Sequence, residues 1–262
     1  MELLALMHPA YSLLGFCVGL LIGLTGVGGG SLMTPLLILI FGIYPVTAVG
    51  TDLLFAAVTK TVGTLIYGMN HTVEWRLTGL LTLGSLPATA GTLAIISHFE
   101  LQDHYANRVV TGVLFVALVL TACSLLARRR IEAFAFAHVG ALSSRLTAVL
   151  TVLTGVGVGV MVSLSSIGAG ALGIVALILL YPKLPTARIV GSDVAHAVPL
   201  TLLAGLGHWA MGSVSWALLG SLLAGSLPGI VVGSFAAPRV PDGVLRAVLA
   251  VVLLVVAGRM LV

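Results

Sequence analysis

Apolar segments long enough to cross a membrane occupy most of this sequence, and they restrict the possible folds more than any other feature. One span of the hydrocarbon core needs about 20 apolar residues, and segments of about this length lie at 46–69, 77–97, 109–127, 187–211, 216–236 and 244–262. Only 8% of the residues are charged, against about 25% in soluble domains. Because lipid cannot satisfy backbone polar groups, such segments form helices. We expect an all-α polytopic membrane protein.

Two glycine-containing runs, at 23–31 and 163–171, interrupt the apolar pattern. Each glycine in a helix interior costs about 1 kcal/mol relative to alanine, so neither run suits a regular helix. Non-helical backbone at membrane depth is tolerated only where protein buries it or water reaches it. We therefore expect the two breaks to face each other or a cavity. The alternative is a tight packing crossing between helices.

An internal repeat with a spacing of about 140 residues divides the chain. The matching landmarks are Gly50-Thr-Asp52 with Gly191-Ser-Asp193, Trp75 with Trp216, and Gly84-Ser-Leu-Pro87 with Gly225-Ser-Leu-Pro228. We predict a first membrane repeat at 1–127, a cytoplasmic Arg-rich linker at 128–144, and a second membrane repeat at 145–262. Each repeat then has a glycine-broken first segment followed by three full spans.

The basic loop residues distinguish two topologies. If each broken segment crosses the membrane once, giving eight spans, the basic residues divide almost evenly between the two faces. If each broken segment is re-entrant, all of the loop lysines and arginines except Arg108 and Arg259 lie on one face. The positive-inside rule favours the second arrangement. That arrangement has six spans plus two hairpins, with the two halves inverted.

Paired broken segments in inverted repeats are the best sequence-level pointer to a transporter binding site. A helix that begins at a break presents unpaired N–H groups and a positive dipole end, which favour an anion. Hydroxyl groups near the breaks supply further donors. The predicted substrate-binding residues at the breaks are Thr25, Gly28, Gly29, Gly30, Ser31, Ser165, Ser166, Gly168 and Gly170.

Ionisable residues inside spans are costly in lipid and are functional candidates by default. Lys60 follows Asp52 by about two helical turns, so both side chains lie near one face, where Lys60 would attract an anion. Asp52, Asp193 and His196 are the predicted coupling or gating residues. The alternative for each is a structural ion pair or hydrogen bond between helices.

The sequence shows no P-loop, no metal-ligand spacing and no nucleophile elbow. We therefore predict no enzymatic activity, no cofactor, no bound metal and no nucleic-acid partner. Without an ATPase motif, transport would be secondary or channel-like. The expected partners are a small anion, a coupling proton or sodium ion, the lipid bilayer, and a second copy in a homodimer.

Several motifs resemble the TauE/SafE family of sulfite exporter-like membrane permeases. They are Gly23-Leu-Thr-Gly-Val-Gly-Gly-Gly30 with Pro35, Ala48-Val-Gly-Thr-Asp52, Val73-Glu-Trp75, Gly84-Ser-Leu-Pro87, Gly191-Ser-Asp193, Gly207-His208 and Gly212-Ser-Val-Ser-Trp216. The resemblance covers nearly the whole chain. It implies a multi-pass transporter of small sulfur-containing or related organic anions in the bacterial inner membrane. The second break is poorer in glycine than the first, which argues against two symmetric sites.

The sequence thus predicts a secondary transporter for a small anion, with sulfite, thiosulfate or an organosulfonate as leading substrates. A passive anion channel and a non-transporting membrane assembly factor are the alternatives.

Overall fold

The computed structural model describes residues 9–25, 30–98, 104–138, 143–236 and 242–259. These residues form ten helices. In chain order they are α1 (Pro9–Thr25), α2 (Gly30–Phe41), α3 (Pro45–Met69), α4 (Trp75–Ser97), α5 (His104–His138), α6 (Ser144–Ser165), α7 (Ala171–Leu180), α8 (Thr186–Ala210), α9 (Trp216–Ala236) and α10 (Asp242–Arg259). Pro9 and Pro45 begin their helices, at the position where the missing N–H of proline costs nothing.

Six of the described helices, α3, α4, α5, α6, α8 and α9, are long and apolar enough to cross a membrane. The protein is therefore an all-α, multi-pass membrane protein. In α3 and α8, 65% and 67% of the most apolar 18-residue stretch lie inside the protein, against 28–44% in the other four helices. The centre of the molecule is accordingly built by α3 and α8.

Helix α6 is longer than the sequence pattern suggested. We expected short apolar segments on both sides of each break, but α6 has 22 residues. Its N-cap is Ser143, whose side chain accepts a hydrogen bond from the Leu146 N–H at 3.3 Å. It ends where Ser166 adopts a left-handed conformation with φ of 59°. Because the helix begins directly after the Ser143 cap, it includes Ser144, which the hydropathy pattern assigned to the linker.

Helix α5 also extends further than expected. Residues 128–138, which the sequence placed in the linker, continue this helix to His138. Arg128 is buried and pairs with Glu132 one turn later, at 3.0 Å. The division of the chain into two repeats and a linker at 128–144 stays a prediction.

Both glycine-broken segments fold back as helical hairpins. In the first, Tyr11 near the start of α1 packs on Phe41 at the end of α2, with ring centroids 4.7 Å apart. In the second, the Thr151 hydroxyl in the early part of α6 is hydrogen-bonded to the hydroxyl of Tyr181, just after α7, at 2.8 Å. Each second helix therefore returns toward the end at which its first helix began.

Helices from the two parts of the chain interlock. Helix α1 packs along α9, α6 packs along α4, α3 packs along α8, and α5 packs along α10. Gly50 near the start of α3 faces the Ser213 carbonyl beyond the end of α8, whereas Gly63 faces Val194 near the start of α8. Helices α3 and α8 therefore run antiparallel.

Glycines bring two of these helix pairs into backbone contact. Gly225, Gly229 and Gly233 of α9 lie directly against the backbone of α1, and Gly155 and Gly159 of α6 lie in the same way against α4. At each position an added Cβ would collide with a carbonyl oxygen of the facing helix. Small residues at such spacing let membrane helices approach closely.

Two backbone-to-hydroxyl hydrogen bonds recur at the repeat spacing. The Glu74 N–H donates to Ser192 Oγ at 2.8 Å, and the Ser215 N–H donates to Thr51 Oγ1 at 3.1 Å. Each bond joins the start of one span to the start of another in the other half of the chain. These bonds hold α3 and α8 in place from opposite ends of the molecule.

Candidate functional site

Four ionisable side chains converge at the centre of the described protein. Asp52 and Lys60 come from α3, and Asp193 and His196 come from α8. Their exposed fractions are 0%, 5%, 1% and 0%, respectively. Because charged groups are almost never fully buried without partners, the partners of each group decide what the cluster can do.

The second glycine break, between α6 and α7, meets this cluster. Lys60 Nζ donates a hydrogen bond to the carbonyl oxygen of Ala169 in the break, at 3.3 Å. Gly168 and Gly170 flank Ala169 with φ values of 129° and 126°. Residues other than glycine rarely adopt this backbone conformation. The glycines therefore permit the turn that presents the Ala169 carbonyl to Lys60.

The two serines of the break have different roles. Ser165 Oγ donates to the Met161 carbonyl at 2.7 Å and accepts the Ile167 N–H at 3.2 Å, so its hydrogen bonds serve the turn itself. Ser166 Oγ is buried and has no hydrogen-bond partner among the described residues. It lies near the Asp52 carboxyl without forming a hydrogen bond of good geometry. Of the two hydroxyls, that of Ser166 is the one that the turn does not use.

Asp52 is held by a threonine from α2. Thr34 Oγ1 donates to Asp52 Oδ2 at 2.5 Å, and both residues are fully buried. The second carboxyl oxygen, Oδ1, has no partner in the described part of the chain. Asp52 is thus anchored through one oxygen, which fixes its orientation toward the cluster.

Asp193 has no comparable anchor. Neither of its carboxyl oxygens has a hydrogen-bond partner within the described residues. The carboxyl packs against Gly173 in the first turn of α7, where an added Cβ would collide with Oδ1. The Gly170 N–H and Lys60 lie near this carboxyl, although neither forms a hydrogen bond of good geometry with it. A buried carboxyl therefore lies, unpaired, at the N-terminal end of α7.

Lys60 lies within electrostatic reach of both carboxyls, yet forms a direct ion pair with neither. Its one hydrogen bond within the described protein is to the Ala169 carbonyl. An ammonium group has three N–H donors, so Lys60 keeps donors for a further acceptor. The arrangement suits a small anion bound between Lys60 and the α7 N-terminus.

The first break is described only at its two ends. Thr25 ends α1, and Gly30 and Ser31 begin α2, whereas Gly28 and Gly29 lie outside the described residues. Of the predicted site residues, the structure brings together Lys60, Asp52, Asp193, His196, Ser166, Gly168 and Gly170. The predicted contribution of the first break stays a prediction.

Comparison with known proteins agrees with this architecture. The family model "Sulfite exporter TauE/SafE" matches residues 11–260. The chain belongs to the TauE/SafE family. It is 36% identical to "Probable membrane transporter protein YjnA" of Bacillus subtilis, with 95% of this chain and 98% of that protein covered.

More distant TauE/SafE relatives carry the same kind of name. The chain is 26% identical to "Probable membrane transporter protein YdhB" of Bacillus subtilis, over 88% of this chain and 91% of that protein. It is 26% identical to a "Probable membrane transporter protein" of Methanocaldococcus jannaschii, over 77% and 72%. No solved structure matches the chain. Family and relatives together identify the protein as a membrane transporter.

Sequence reasoning missed three polar residues around the centre of this TauE/SafE protein. Nothing in the sequence around Thr34 indicated its role, because the Asp52 carboxyl that accepts its hydrogen bond lies in another helix. Ser85 is bonded to His196 Nε2 at 2.8 Å, and its place in the repeated Gly-Ser-Leu-Pro motif was an available signal. His208, which the sequence analysis named only within the Gly207-His208 motif, is buried and bonded through Nε2 to the Ser163 carbonyl at 2.9 Å. These bonds tie α8 to α4 and to the end of α6.

Proposed function

We propose that the protein is a secondary transporter that carries a small anion across the bacterial inner membrane. Sulfite, thiosulfate and organosulfonates are the leading substrates, since the family description names sulfite export. The observation that carries the proposal is the position of Lys60, a buried cation that meets the broken segment between α6 and α7. In an apolar surrounding, such a cation attracts an anion strongly because screening is weak.

The proposed site has two kinds of donor. Lys60 supplies the charge, and the N-terminus of α7 supplies backbone N–H groups and the positive end of the helix dipole. Ser166 supplies a hydroxyl that has no partner among the described residues. Small tetrahedral or pyramidal oxyanions can accept from all three because the glycines of the break leave the backbone uncovered.

We further propose that the two halves are inverted with respect to the membrane. Two observations support this: both broken segments fold back as hairpins, and the equivalent helices α3 and α8 run antiparallel. Eight single crossings would instead make α3 and α8 parallel. With the basic loops in the cytoplasm, the loop between α3 and α4 is cytoplasmic and the loop between α8 and α9 is external.

The burial of the cluster favours a carrier over an open channel. Asp52, Lys60, Asp193 and His196 are all enclosed by protein, so an anion reaches Lys60 only after the helices or hairpins move. Alternating access by relative motion of repeated elements around a central site is the usual mechanism of such folds. Anion currents in proteoliposomes that do not depend on a proton or sodium gradient would instead indicate a channel.

Replacement of Lys60 tests the site. We expect Lys60→Ala to abolish uptake of radiolabelled thiosulfate or sulfite into proteoliposomes, because a buried anion would lose its only nearby cation among the described residues. The matched control is Arg76→Ala, which removes an exposed cation near the start of α4. Control uptake should equal that of the wild type.

Binding is measured separately by thermal shift, since an anion that binds only the folded protein must stabilise it. The wild type should gain thermal stability with at least one of thiosulfate, sulfite and methanesulfonate, and Lys60→Ala should gain none. Transport by Lys60→Ala at the wild-type rate would rule out this site.

A further inference from the structure

The chain's own Asp193 carboxyl occupies the position that favours an anion. It packs against the first turn of α7 at Gly173, close to the N–H groups and the positive dipole end of that helix. Asp193 is 1% exposed, and neither carboxyl oxygen has a hydrogen-bond partner in the described structure. A substrate anion at the α7 N-terminus and an ionised Asp193 would therefore compete for the same donors.

The equivalent carboxyl in the first half is held differently. Asp52 receives a hydrogen bond from Thr34 of α2. At the spacing that relates the two breaks, the position that matches Thr34 is Ile174 of α7, a buried apolar residue. Asp193 consequently receives no hydrogen bond from a hydroxyl of α7 that would match the bond from Thr34 of α2 to Asp52. The repeat thus contains one anchored carboxyl and one unanchored carboxyl.

Charge balance then separates their roles. Lys60 lies near both carboxyls, so two ionised carboxylates and one ammonium leave the enclosed cluster with one net negative charge. Adding a substrate anion would increase that charge among buried side chains, where an uncompensated ion is strongly unfavourable. Neutralising one carboxyl by a proton offsets one unit of the added charge, and Asp193, whose N–H donors at the α7 N-terminus the anion would take over, is the carboxyl whose charged form the anion disfavours most.

We propose that Asp193 is the proton-binding group of the transport cycle. One proton from solution adds to an Asp193 oxygen as the anion binds beside Lys60 and the α7 N-terminus, and the same proton leaves when the anion is released. Asp52 stays hydrogen-bonded to Thr34 throughout. This proposal rests on the proposed anion site and names its coupling ion and the residue that carries it.

Other titratable groups near α8 are few. On α3 they are Asp52, Lys60 and the Tyr67 hydroxyl. Just before α4 lies Glu74, which pairs with Arg188 at 3.4 Å near the start of α8. On α8 itself they are His196 and His208, each bonded through Nε2. The α7 sequence holds no titratable side chain, and α6 holds only Arg145, at its far end. Among these carboxyls, Asp193 alone lacks both an ion pair and a hydrogen bond.

Proton uptake is measured by titration calorimetry in buffers that differ in ionisation enthalpy. The ligands are thiosulfate and methanesulfonate, which stay fully ionised from pH 5 to pH 8, so any proton taken up belongs to the protein. The wild type should take up about one proton per anion. Its affinity should fall by about tenfold for each pH unit above the value at which Asp193 in the free protein ionises, because the bound state holds one proton more.

The Asp193→Asn variant should bind the anion without proton uptake, with an affinity that is independent of pH. The matched control Glu74→Gln removes an exposed carboxylate of the same helix pair and should keep the wild-type proton uptake. Unchanged proton uptake in Asp193→Asn would overturn the proposal. So would a pH-independent wild-type affinity, a result that requires no variant to fold. If neither anion binds the wild type, the proposed anion site fails, and this inference fails with it.

Discussion

At the scale of single residues, the two repeat-related aspartates show that equivalent positions need not have equivalent surroundings. Asp52 and Asp193 occupy matching places in α3 and α8. Thr34 reaches Asp52, whereas Gly173 leaves space for the Asp193 carboxyl. One hydroxyl group therefore distinguishes the surroundings of the two carboxyls.

Removal of the Thr34 hydroxyl tests how firmly Asp52 is anchored. We expect Thr34→Val to lower the free energy of unfolding by about 1–3 kcal/mol, because it leaves a buried carboxyl without its donor. The isosteric change alters little else in the packing. Unfolding in detergent micelles with a denaturing detergent measures this difference.

The control is Thr34→Ser, which keeps the hydroxyl and should remain within about 1 kcal/mol of the wild type, since it loses one buried methyl group. Equal stability of Thr34→Val and Thr34→Ser would show that the hydrogen bond to Asp52 contributes nothing to folding.

At the scale of elements, the helical hairpins and the glycine contacts determine where the cluster forms. The glycine break lets α7 return alongside α6, which brings Ala169 and Gly173 to the side chains of α3 and α8. The glycines of α9 and α6 hold the outer helix pairs in backbone contact. Sequence patterns located the breaks and the Gly-Ser-Leu-Pro motifs but not the helices that they contact, because one sequence carries no record of partners distant along the chain.

The glycine contact between α9 and α1 is tested by Gly229→Ala. A new Cβ at this position would collide with the Phe16 carbonyl oxygen, so we expect a loss of about 1–3 kcal/mol from overpacking. Helix propensity alone predicts the opposite sign, a gain of about 1 kcal/mol. Denaturing-detergent titrations of the purified variants distinguish the two signs.

Gly220→Ala is the matched control in the same helix. Nothing lies within 4 Å of the Cβ that it would add, so this variant should be as stable as the wild type or more stable. A Gly229→Ala protein that is more stable than the wild type would mean that α1 and α9 do not pack through this glycine.

At the scale of the whole molecule, two sets of contacts recur at the repeat spacing, as the inverted halves that we propose require. Glu74 bonds to Ser192 and Ser215 bonds to Thr51, and the hairpins are closed by Tyr11 with Phe41 and by Thr151 with Tyr181. Antiparallel α3 and α8 then place equivalent loops at opposite ends of the molecule. A binding site that lies between such halves can open to either side by equivalent movements.

Cysteine labelling tests this topology. Cys17 and Cys123, the two natural cysteines, are first replaced by alanine. Single cysteines are then introduced as His71→Cys, in the loop between α3 and α4, and as Gly212→Cys, in the loop between α8 and α9. We expect a membrane-impermeant maleimide to label Gly212→Cys in intact cells, and His71→Cys only in inside-out vesicles.

Position 71 has a φ of 52° and position 212 a φ of 75°, so both loops turn in the same unusual way. Gly212→Cys places a side chain in a conformation that non-glycine residues rarely adopt, and Ser213→Cys is the alternative at this loop. Labelling of both loops from the same side of the membrane would exclude inverted halves.

The sequence by itself determined the class of protein, the two breaks and five of the six membrane-length helices. Among the described residues the sixth such helix is α6, and the predicted span at 244–262 is not one of them. These features depend on local composition, because a span must match the hydrocarbon thickness and glycine weakens a helix wherever it stands. The sequence also singled out Asp52, Lys60 and Asp193, since ionisable residues are conspicuous in apolar segments.

Only the tertiary structure decided what these residues contact. Lys60 and Ala169 lie 109 residues apart in the chain, yet they share a hydrogen bond. Thr34 donates a hydrogen bond to Asp52, whereas the Asp193 carboxyl packs against Gly173, which has no side chain. Helices α5 and α6 are also longer than the apolar segments from which they were predicted. These contacts depend on which helices pack together and in which direction. Helix packing in turn depends on close backbone contacts and helix caps at many positions at once, and no single stretch of residues determines it.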